Sequence, residues 1–182
     1  MVNATKSYRS AMANDRGRMF EAMLLAGCRW YRKAGVAEID KTPEPFRVSR
    51  KLGEGKFEGR FGHAAQPDFQ GTLPGGISVI FEAKSTGSDR IQRSVLTQEQ
   101  MDVLQRHHEL GAIAFIAVEL DMHMFTVPWP IWRDMRTWFG RKYITHNELK
   151  MFEVHYAYSR GVMFLGRVDR MQELRERNIW RE

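Results

Sequence analysis

The chain has 182 residues, a length that fits one domain, and 43% of them are hydrophobic, as in ordinary globular proteins. It contains no run of about 18 apolar residues, so the sequence predicts neither a membrane-spanning helix nor a membrane partner. The one cysteine, Cys28, excludes an internal disulfide framework and fits a reducing, cytoplasmic setting. The formal net charge of +6 favours a polyanionic partner, most often nucleic acid.

The N-terminal part of the sequence predicts a helix, a strand and a basic arm. Residues 14–33 carry apolar side chains at helical spacing, a polar residue at the start can cap them, and Gly35 ends the helix. The alternating segment VAEIDKTPEP (36–45) predicts a strand that runs into extended chain. Residues 50–65 contain four glycines and four basic residues. They indicate a flexible hairpin or protruding arm, placed at residues 50–62, rather than core.

The remaining sequence alternates between apolar strands and helices. The segment ISVIFEAKS (77–85) predicts a buried strand, TGSDRIQRS (86–94) predicts a polar loop, and Thr97 begins a helix that runs to Leu110. Two strands follow at residues 113–120 and 122–128, and then a tryptophan-rich helical segment at 129–139. A capped turn begins at Thr145, and a charged helix is predicted at 167–181. This order predicts an α/β layer arrangement around one mostly buried sheet, in a single nuclease domain over residues 1–182.

Three charged residues lie close to the predicted buried strand. Because strand side chains alternate between faces, Glu82 and Lys84 project to one side together with Ile80. Asp68 precedes a tight turn into this strand, so an antiparallel hairpin would bring its carboxylate beside that of Glu82. Two adjacent carboxylates repel each other unless a cation neutralises them. Hard oxygen ligands at one place suit Mg²⁺, with Mn²⁺ as a substitute.

This arrangement predicts hydrolysis of phosphodiester bonds. A bound metal polarises a phosphodiester oxygen and lowers the pKa of a bound water, while Lys84 can orient that water or stabilise the pentavalent phosphorane. The alternative is that Glu82 and Lys84 form a simple salt pair on an exposed edge strand. A short D…ExK pattern also arises by chance, so the apolar surroundings SVIFEAK, the preceding Pro-Asp and the glycine-rich turn carry the prediction.

Several further segments, together with this pattern, resemble one family. They are, in order, NDRGRMFE (14–21), KTPEP (41–45), PDFQG (67–71), IFEAKST (80–86), QEQMDVL (98–104), GAIAFIAVEL (111–120) and MFTVPWPIW (124–132). Over roughly residues 13–150 the chain resembles the RecU-type Holliday junction resolvases of the PD-(D/E)xK nuclease superfamily. The resemblance implies a restriction-endonuclease-like core, a mixed central β-sheet flanked by helices, a homodimer, Mg²⁺ dependence and paired nicking of four-way DNA junctions.

The resemblance also implies roles for individual residues. Asp68 and Glu82 would be metal ligands, Lys84 would stabilise the transition state, and Gln100 matches a metal-site glutamine at a helix start. Gln66 stands where the family has a threonine as a further metal-site ligand, so it is the candidate for that position. The glycine-rich arm is also shorter than the stalk of the family.

Two of the candidate catalytic residues have structural alternatives. Thr97 and Gln100 fit a capping box, in which Gln100 returns to the backbone of Thr97. Glu21 lies on the first helix, where it would be either an outer residue of the metal site or a solvated acid. The candidate DNA contacts, for which solvated side chains are the alternative, are Arg16, Arg18, Lys41, Arg50, Lys51, Lys56, Phe57 and Arg60.

Three functions are compatible with these features. The leading hypothesis is a metal-dependent endonuclease that resolves four-way junctions. The second is a PD-(D/E)xK nuclease that acts on other DNA, in restriction or repair. The third is a non-catalytic DNA-binding factor with the same fold, which the intact set of Asp68, Glu82 and Lys84 argues against.

Overall fold

The computed structural model describes residues 2–43, 46–61 and 66–167 of the chain. Its helices are α1 (Val2–Lys33), α2 (Gln98–Glu109), α3 (Trp129–Arg133), α4 (Met135–Phe139) and α5 (His146–Leu149). Its strands are β1 (Glu38–Lys41), β2 (Phe46–Gly53), β3 (Lys56–Phe61), β4 (Phe69–Leu73), β5 (Ile77–Thr86), β6 (Arg90–Gln92), β7 (Ile113–Leu120), β8 (His123–Pro128), β9 (Tyr143–Thr145), β10 (Tyr156–Ala157) and β11 (Gly161–Val162).

The centre of the molecule is a five-stranded sheet with the order β1-β4-β5-β7-β8. Strands β5 and β7 run parallel, whereas the other neighbouring pairs are antiparallel, so the sheet is mixed. All eight residues of β7 are buried, because helices cover both faces of the sheet at this strand. This explains why the sequence IAFIAVEL is a continuous apolar run instead of an alternating one.

Helix α1 covers one face of the central sheet. Its buried residues pack against Phe69, Phe81 and Phe115, whose rings stack across three neighbouring strands. The ring centroids of Phe69 and Phe81 lie 4.7 Å apart, and those of Phe81 and Phe115 lie 4.5 Å apart. The stacked rings join β4, β5 and β7 in fixed register, since each occupies a paired position of the sheet.

Helices α2 and α3 cover the opposite face. Ile80 and Ile116 of the sheet pack in one apolar cluster with Leu104 of α2 and with Trp129 and Trp132 of α3. Helix α2 begins after a capping box formed by Thr97 and Gln100, as the sequence predicts. A capping box fixes where a helix begins, and here it also fixes where the side chain of Gln100 lies relative to the sheet.

The predicted fold class is confirmed: the protein is an α/β molecule with a mixed central sheet flanked by helices. The predicted arm is the hairpin of β2 and β3, which pair with each other and form a sheet of their own. Glu54 and Gly55 form its turn with positive φ angles of 51° and 77°. No helix in the described part of the chain is long and apolar enough to cross a membrane.

Three predictions about individual elements need correction. Helix α1 begins at Val2 instead of residue 14, because residues 2–13 contain helix-forming alanine, methionine and lysine and no breaker. Residues 86–94 are not only a loop, since they contain strand β6, which pairs with β9 and buries Ile91. The tryptophan-rich segment forms two short helices separated at Asp134. The predicted helix at 167–181 lies, apart from its first residue, outside the described residues.

Candidate active site

The pairing of β4 with β5 brings two acidic residues together. Phe69 pairs with Phe81, so Asp68, immediately before β4, reaches the backbone of β5, and its Oδ2 accepts a hydrogen bond from Ala83 N–H at 2.9 Å. The backbone carbonyl of Asp68 accepts a second bond, from Thr42 N–H, also at 2.9 Å. Asp68 is therefore held at the end of the sheet by the neighbouring strand and by the chain that follows β1.

Lys84 contacts both carboxylates. Its Nζ lies 2.9 Å from Oε2 of Glu82 and 3.5 Å from Oδ2 of Asp68. The side chain of Glu82 is only 1% exposed, and strand alternation aims it, with Lys84, at the face of the sheet that α2 covers. A buried carboxylate is costly without a cationic partner, so Lys84 stabilises this pair of acids.

Burial raises the pKa of Glu82 from its ordinary value of 4.5 to about 7. Lys84 opposes this rise through its positive charge, whereas the neighbouring carboxylate of Asp68 adds to it. With a pKa of about 7, Glu82 is close to half-protonated at neutral pH, and a cation bound to it would have to displace that proton. Strongly shifted acids with a specific charged partner are typical of functional sites.

Gln100 forms the predicted helix cap and also contacts Glu82. Its Oε1 accepts a hydrogen bond from Thr97 N–H at 3.1 Å, which completes the capping box. Its Nε2 donates a bond of 2.6 Å to Oε2 of Glu82. Because the amide oxygen is already used by the cap, the contact with the site runs through the amide nitrogen, and Gln100 holds the carboxylate of Glu82 in place.

The donor set fits a magnesium ion. Asp68 and Glu82 supply hard carboxylate oxygens beside each other, and Mg²⁺ typically uses one or two carboxylates and completes its shell with waters and substrate phosphate. No group of three or more histidine, cysteine or acidic residues that could hold a metal occurs among the described residues. The two carboxylates of this site could hold a divalent cation together with waters.

Glu21 and Lys41 form a second ion pair near this centre. Oε2 of Glu21 on α1 lies 2.6 Å from Nζ of Lys41 on β1, and Lys41 is the register partner of Phe69, the residue after Asp68. Strand alternation places Lys41 toward α1, whereas Glu82 faces α2. The structure thus joins Glu21 to Lys41 beside the Asp68 strand rather than to Glu82. Gln66 is exposed, two residues before Asp68.

The remaining candidate DNA contacts lie in two places. On α1, Arg18 pairs with Asp15, and the guanidinium of Arg16 lies against Gly87, just beyond the end of β5. On the arm the candidates are exposed, and the side chain of Phe57 is exposed to 56%. The arm residues in question are Arg50, Lys51, Lys56, Phe57 and Arg60.

Sequence reasoning passed over Thr42. Its hydroxyl is buried and, within the described part of the structure, has no hydrogen-bond partner, while its N–H holds the backbone of Asp68. An unpaired buried hydroxyl costs free energy, and this one belongs to a residue whose backbone is bonded to Asp68. The signal available in the sequence was its position next to Lys41 in the segment KTPEP.

The fold and the site define a class: an α/β protein whose mixed central sheet carries a PD-(D/E)xK centre. Residues 15–170 match the family described as RecU, Recombination protein U. This match covers most of the 182 residues, and the chain belongs to the RecU family, as its motifs predict.

Among solved structures, the chain is similar to Hjc, a Holliday junction resolvase from the archaeal hyperthermophile Archaeoglobus fulgidus. The two share 18% sequence identity with a TM-score of 0.44, and the similarity covers 75% of this chain and 93% of Hjc. A search of curated proteins finds no match.

Proposed function

We propose that this protein is a metal-dependent endonuclease that resolves four-way DNA junctions by paired nicks, acting as a homodimer in the cytoplasm. The observation that carries the proposal is the convergence of Asp68, Glu82 and Lys84 at one place on the central sheet of a RecU-family chain. We assign the chain as a single nuclease domain, with the β2–β3 arm as its DNA-contacting extension.

Asp68 and Glu82 are assigned as the residues that hold Mg²⁺, with Mn²⁺ as a substitute. When bound, the ion would polarise a phosphodiester oxygen and lower the pKa of a bound water, which is the nucleophile. Binding requires Glu82 to be ionised, which its pKa of about 7 allows at and above neutral pH. Gln100, through its bond to Oε2, fixes the direction of this carboxylate.

Lys84 is assigned as the residue that stabilises the transition state. In this structure its ammonium group binds the two carboxylates. With a cation held by these acids, the ammonium group would be free to bind a phosphate oxygen, on which negative charge increases during hydrolysis. The same group that stabilises the acids in the absence of metal thus stabilises the substrate in its presence.

The basic residues of α1 and of the arm are assigned to phosphate contacts, and Phe57 to stacking on unpaired bases at the junction centre. Gln66 is exposed beside Asp68 and is assigned as an outer residue of the metal site. Glu21, paired with Lys41, regulates how strongly Lys41 binds phosphate, since a phosphate and Glu21 compete for the same ammonium group.

The homodimer follows from the symmetry of the reaction. Paired cuts in two strands of a junction require two sites related by a two-fold axis. The apolar helices and strands that follow the buried strand β7 are the proposed interface. Light scattering should report a dimer at micromolar concentration, and a monomer with full activity on junctions would contradict the proposal.

The decisive experiment is a nicking assay on a mobile four-way junction beside a linear duplex of the same sequence. We expect symmetric nicks in the junction that require Mg²⁺ or Mn²⁺, with little cleavage of the duplex. Equal cleavage of both substrates would favour a nuclease that acts on other DNA. Binding without cleavage under all metal conditions would favour a non-catalytic DNA-binding factor.

A further inference from the structure

A cavity of about 280 Å³ lies between helix α1 and the turn that joins β7 to β8. Its walls are mainly apolar and rich in methionine: Met12, Met19, Phe20, Met23 and Met122 line it. Met12, Met19 and Met122 are largely exposed, so the cavity opens to solvent through a rim of thioether side chains. Methionine is a flexible, polarisable residue that adapts to bound aromatic groups.

A buried carboxylate forms part of this apolar cavity. Glu119 lines the cavity, yet it is only 3% exposed. Its Oε1 accepts a hydrogen bond from Met122 N–H at 2.9 Å, whereas its Oε2 is buried without a partner among the described residues. An unpaired buried carboxylate oxygen is costly, so Oε2 lacks an N–H or O–H donor that it requires. Because Oε2 is buried at the cavity wall, the donor of a ligand reaches it when the flexible methionine side chains around it move.

The cavity lies next to the catalytic strand. Glu119 pairs in register with Ser85, the residue after Lys84, and strand alternation directs Glu119 to the face opposite Glu82. Helix α1 passes close to the end of β5. A Cβ on Gly17 would lie 3.9 Å from Oγ of Ser85, and a Cβ on Gly87 would collide with the guanidinium of Arg16. Arg16 and Asp15 also line the cavity, and Asp15 is paired with Arg18, so Arg16 is the cation of the lining.

We propose that this cavity binds an unpaired nucleobase that carries an exocyclic amino group. The proposal rests on the proposed action on branched DNA, because a junction supplies unstacked bases and an intact duplex does not. The amino group donates to Oε2 of Glu119, the thioethers and Phe20 contact the faces of the base, and Arg16 binds the adjoining phosphate. The volume is near the lower limit for ligand pockets, about 300 Å³, and fits one base.

The carboxylate of Glu119 should bind some bases more tightly than others. Cytosine presents an N4 amino donor at the position where thymine presents an O4 acceptor, and acidic side chains accept from cytosine N4. An unpaired thymine offers only its N3–H, which lies between two carbonyl oxygens that repel a carboxylate. A carboxylate oxygen therefore prefers the amino group of cytosine. Glu119→Gln reverses this preference: the amide oxygen retains the bond to Met122 N–H, and the amide NH₂ is then directed into the cavity as a donor.

The test measures binding of equal-length single-stranded oligo(dC) and oligo(dT) to the full chain by fluorescence anisotropy, without divalent cations. We expect the wild type to bind oligo(dC) about tenfold more tightly. Glu119→Gln should lose or invert this ratio. Equal affinities in the wild type, or an unchanged ratio in a folded Glu119→Gln variant, overturn the proposal.

A second variant tests the cavity without changing Glu119, in case Glu119→Gln fails to fold. Met12→Ala combined with Met19→Ala removes two exposed thioethers from a helix that alanine favours, so the fold is retained. This variant should lose several-fold in affinity for oligo(dC), whereas the matched control Met151→Ala, an exposed methionine that does not line this cavity, should not. Equal effects of the two changes overturn the proposal.

Methionine methyl NMR identifies the occupant. Signals of Met12, Met19 and Met122 should shift on titration with oligo(dC). Shifts that follow protein concentration instead would assign the cavity to a second copy of the chain and overturn the proposal. Because these measurements need no metal, they are independent of nicking: base preference without nicking refutes the nuclease, and nicking without base preference refutes the pocket alone.

Discussion

The central sheet and the β2–β3 arm differ in nearly every physical property. The sheet has five strands covered by helices on both faces. Within it Asp68 is held by a backbone hydrogen bond, and Glu82 by the side chains of Lys84 and Gln100. The arm is a separate two-stranded hairpin whose described side chains are almost all exposed. A lone two-stranded hairpin is marginally stable in water, whereas a covered sheet holds its residues in fixed register.

This difference separates the two tasks proposed for the protein. Hydrolysis needs groups held at fixed short distances, such as the 2.9 Å between Lys84 Nζ and Glu82 Oε2. Recognition of a branched substrate needs basic and aromatic groups that can adapt to it, which an exposed hairpin with positive φ at its turn supplies. Changes in the sheet should therefore affect the rate, and changes in the arm should affect the choice of substrate.

The largest effect should come from removing the charge of the acids in the sheet. Asp68→Asn and Glu82→Gln keep the shape of the side chains but remove the ligand charge, so Mg²⁺-dependent nicking of a four-way junction should be abolished. Junction binding should persist or tighten, because repulsion of the phosphates falls. Asp40→Asn, an exposed acid paired with Arg32, serves as the matched control and should nick normally. Near wild-type cleavage by either site variant would refute the metal site.

The second largest effect should come from Lys84→Ala, which removes the proposed transition-state contact. The nicking rate should fall by at least about two orders of magnitude, while the metal affinity changes little because Lys84 is not a ligand. Lys150→Ala, an exposed lysine outside the site, is the control. A large shift in metal titration with unchanged turnover would contradict the assigned role.

The acidity of Glu82 predicts a pH dependence of metal binding. Its pKa is raised to about 7, so below that pH the folded protein holds a proton that the metal must displace. The apparent Mg²⁺ affinity should therefore fall by about tenfold for each pH unit below 7 and level off above it. Calorimetric titration across this range measures it, and a flat profile would show that Glu82 does not bind the ion.

The same shift has an opposite consequence for the stability of the metal-free protein. Because the pKa of Glu82 is higher in the folded state than its ordinary value of 4.5, the folded protein binds more protons between the two values. The free energy of unfolding should decrease as pH rises from about 4.5 to 7 and should recover when Mg²⁺ is added. Glu82→Gln should remove this contribution.

Replacing the arm should change selectivity and leave the chemistry intact. Exchange of residues 52–60 for a short Gly-Ser turn should lower junction affinity to the value for a linear duplex, while residual Mg²⁺-dependent nicking persists. The salt dependence of binding should also weaken, because fewer phosphates are contacted. Unchanged junction preference would mean that selectivity comes from the geometry of the dimer.

The smallest effect concerns the residue that joins the helix cap to the site. Gln100→Ala removes half of the capping box and the bond to Glu82, so the free energy of unfolding should fall by about 1 kcal/mol. Nicking should also slow, since Glu82 loses its orientation. Gln98→Ala, which removes a surface bond to Asp102 in the same helix turn, should change stability less and leave nicking unaffected. Equal effects of Gln100→Ala and Gln98→Ala on nicking would mean that Gln100 acts only in the helix cap.

The sequence by itself determined the elements whose signals are local. The period of two in the strand ISVIFEAKS places Glu82 and Lys84 on one face, and the spacing of three positions from Thr97 to Gln100 defines the capping box. The resemblance of ordered motifs to the RecU family was likewise readable from the chain and is confirmed. These features depend on residues that are neighbours in sequence, so their geometry follows from standard backbone periods.

Only the tertiary structure decided which distant residues meet. The capping residue Gln100 reaches Glu82 because α2 packs across β5, and the polar segment with Ile91 forms a strand because β9, some fifty residues later, pairs with it. The cavity at Glu119 arises because α1 begins at Val2 and crosses the ends of β5 and β7. Such contacts join segments far apart in the chain, and their free energy comes from packing and pairing that no local pattern encodes.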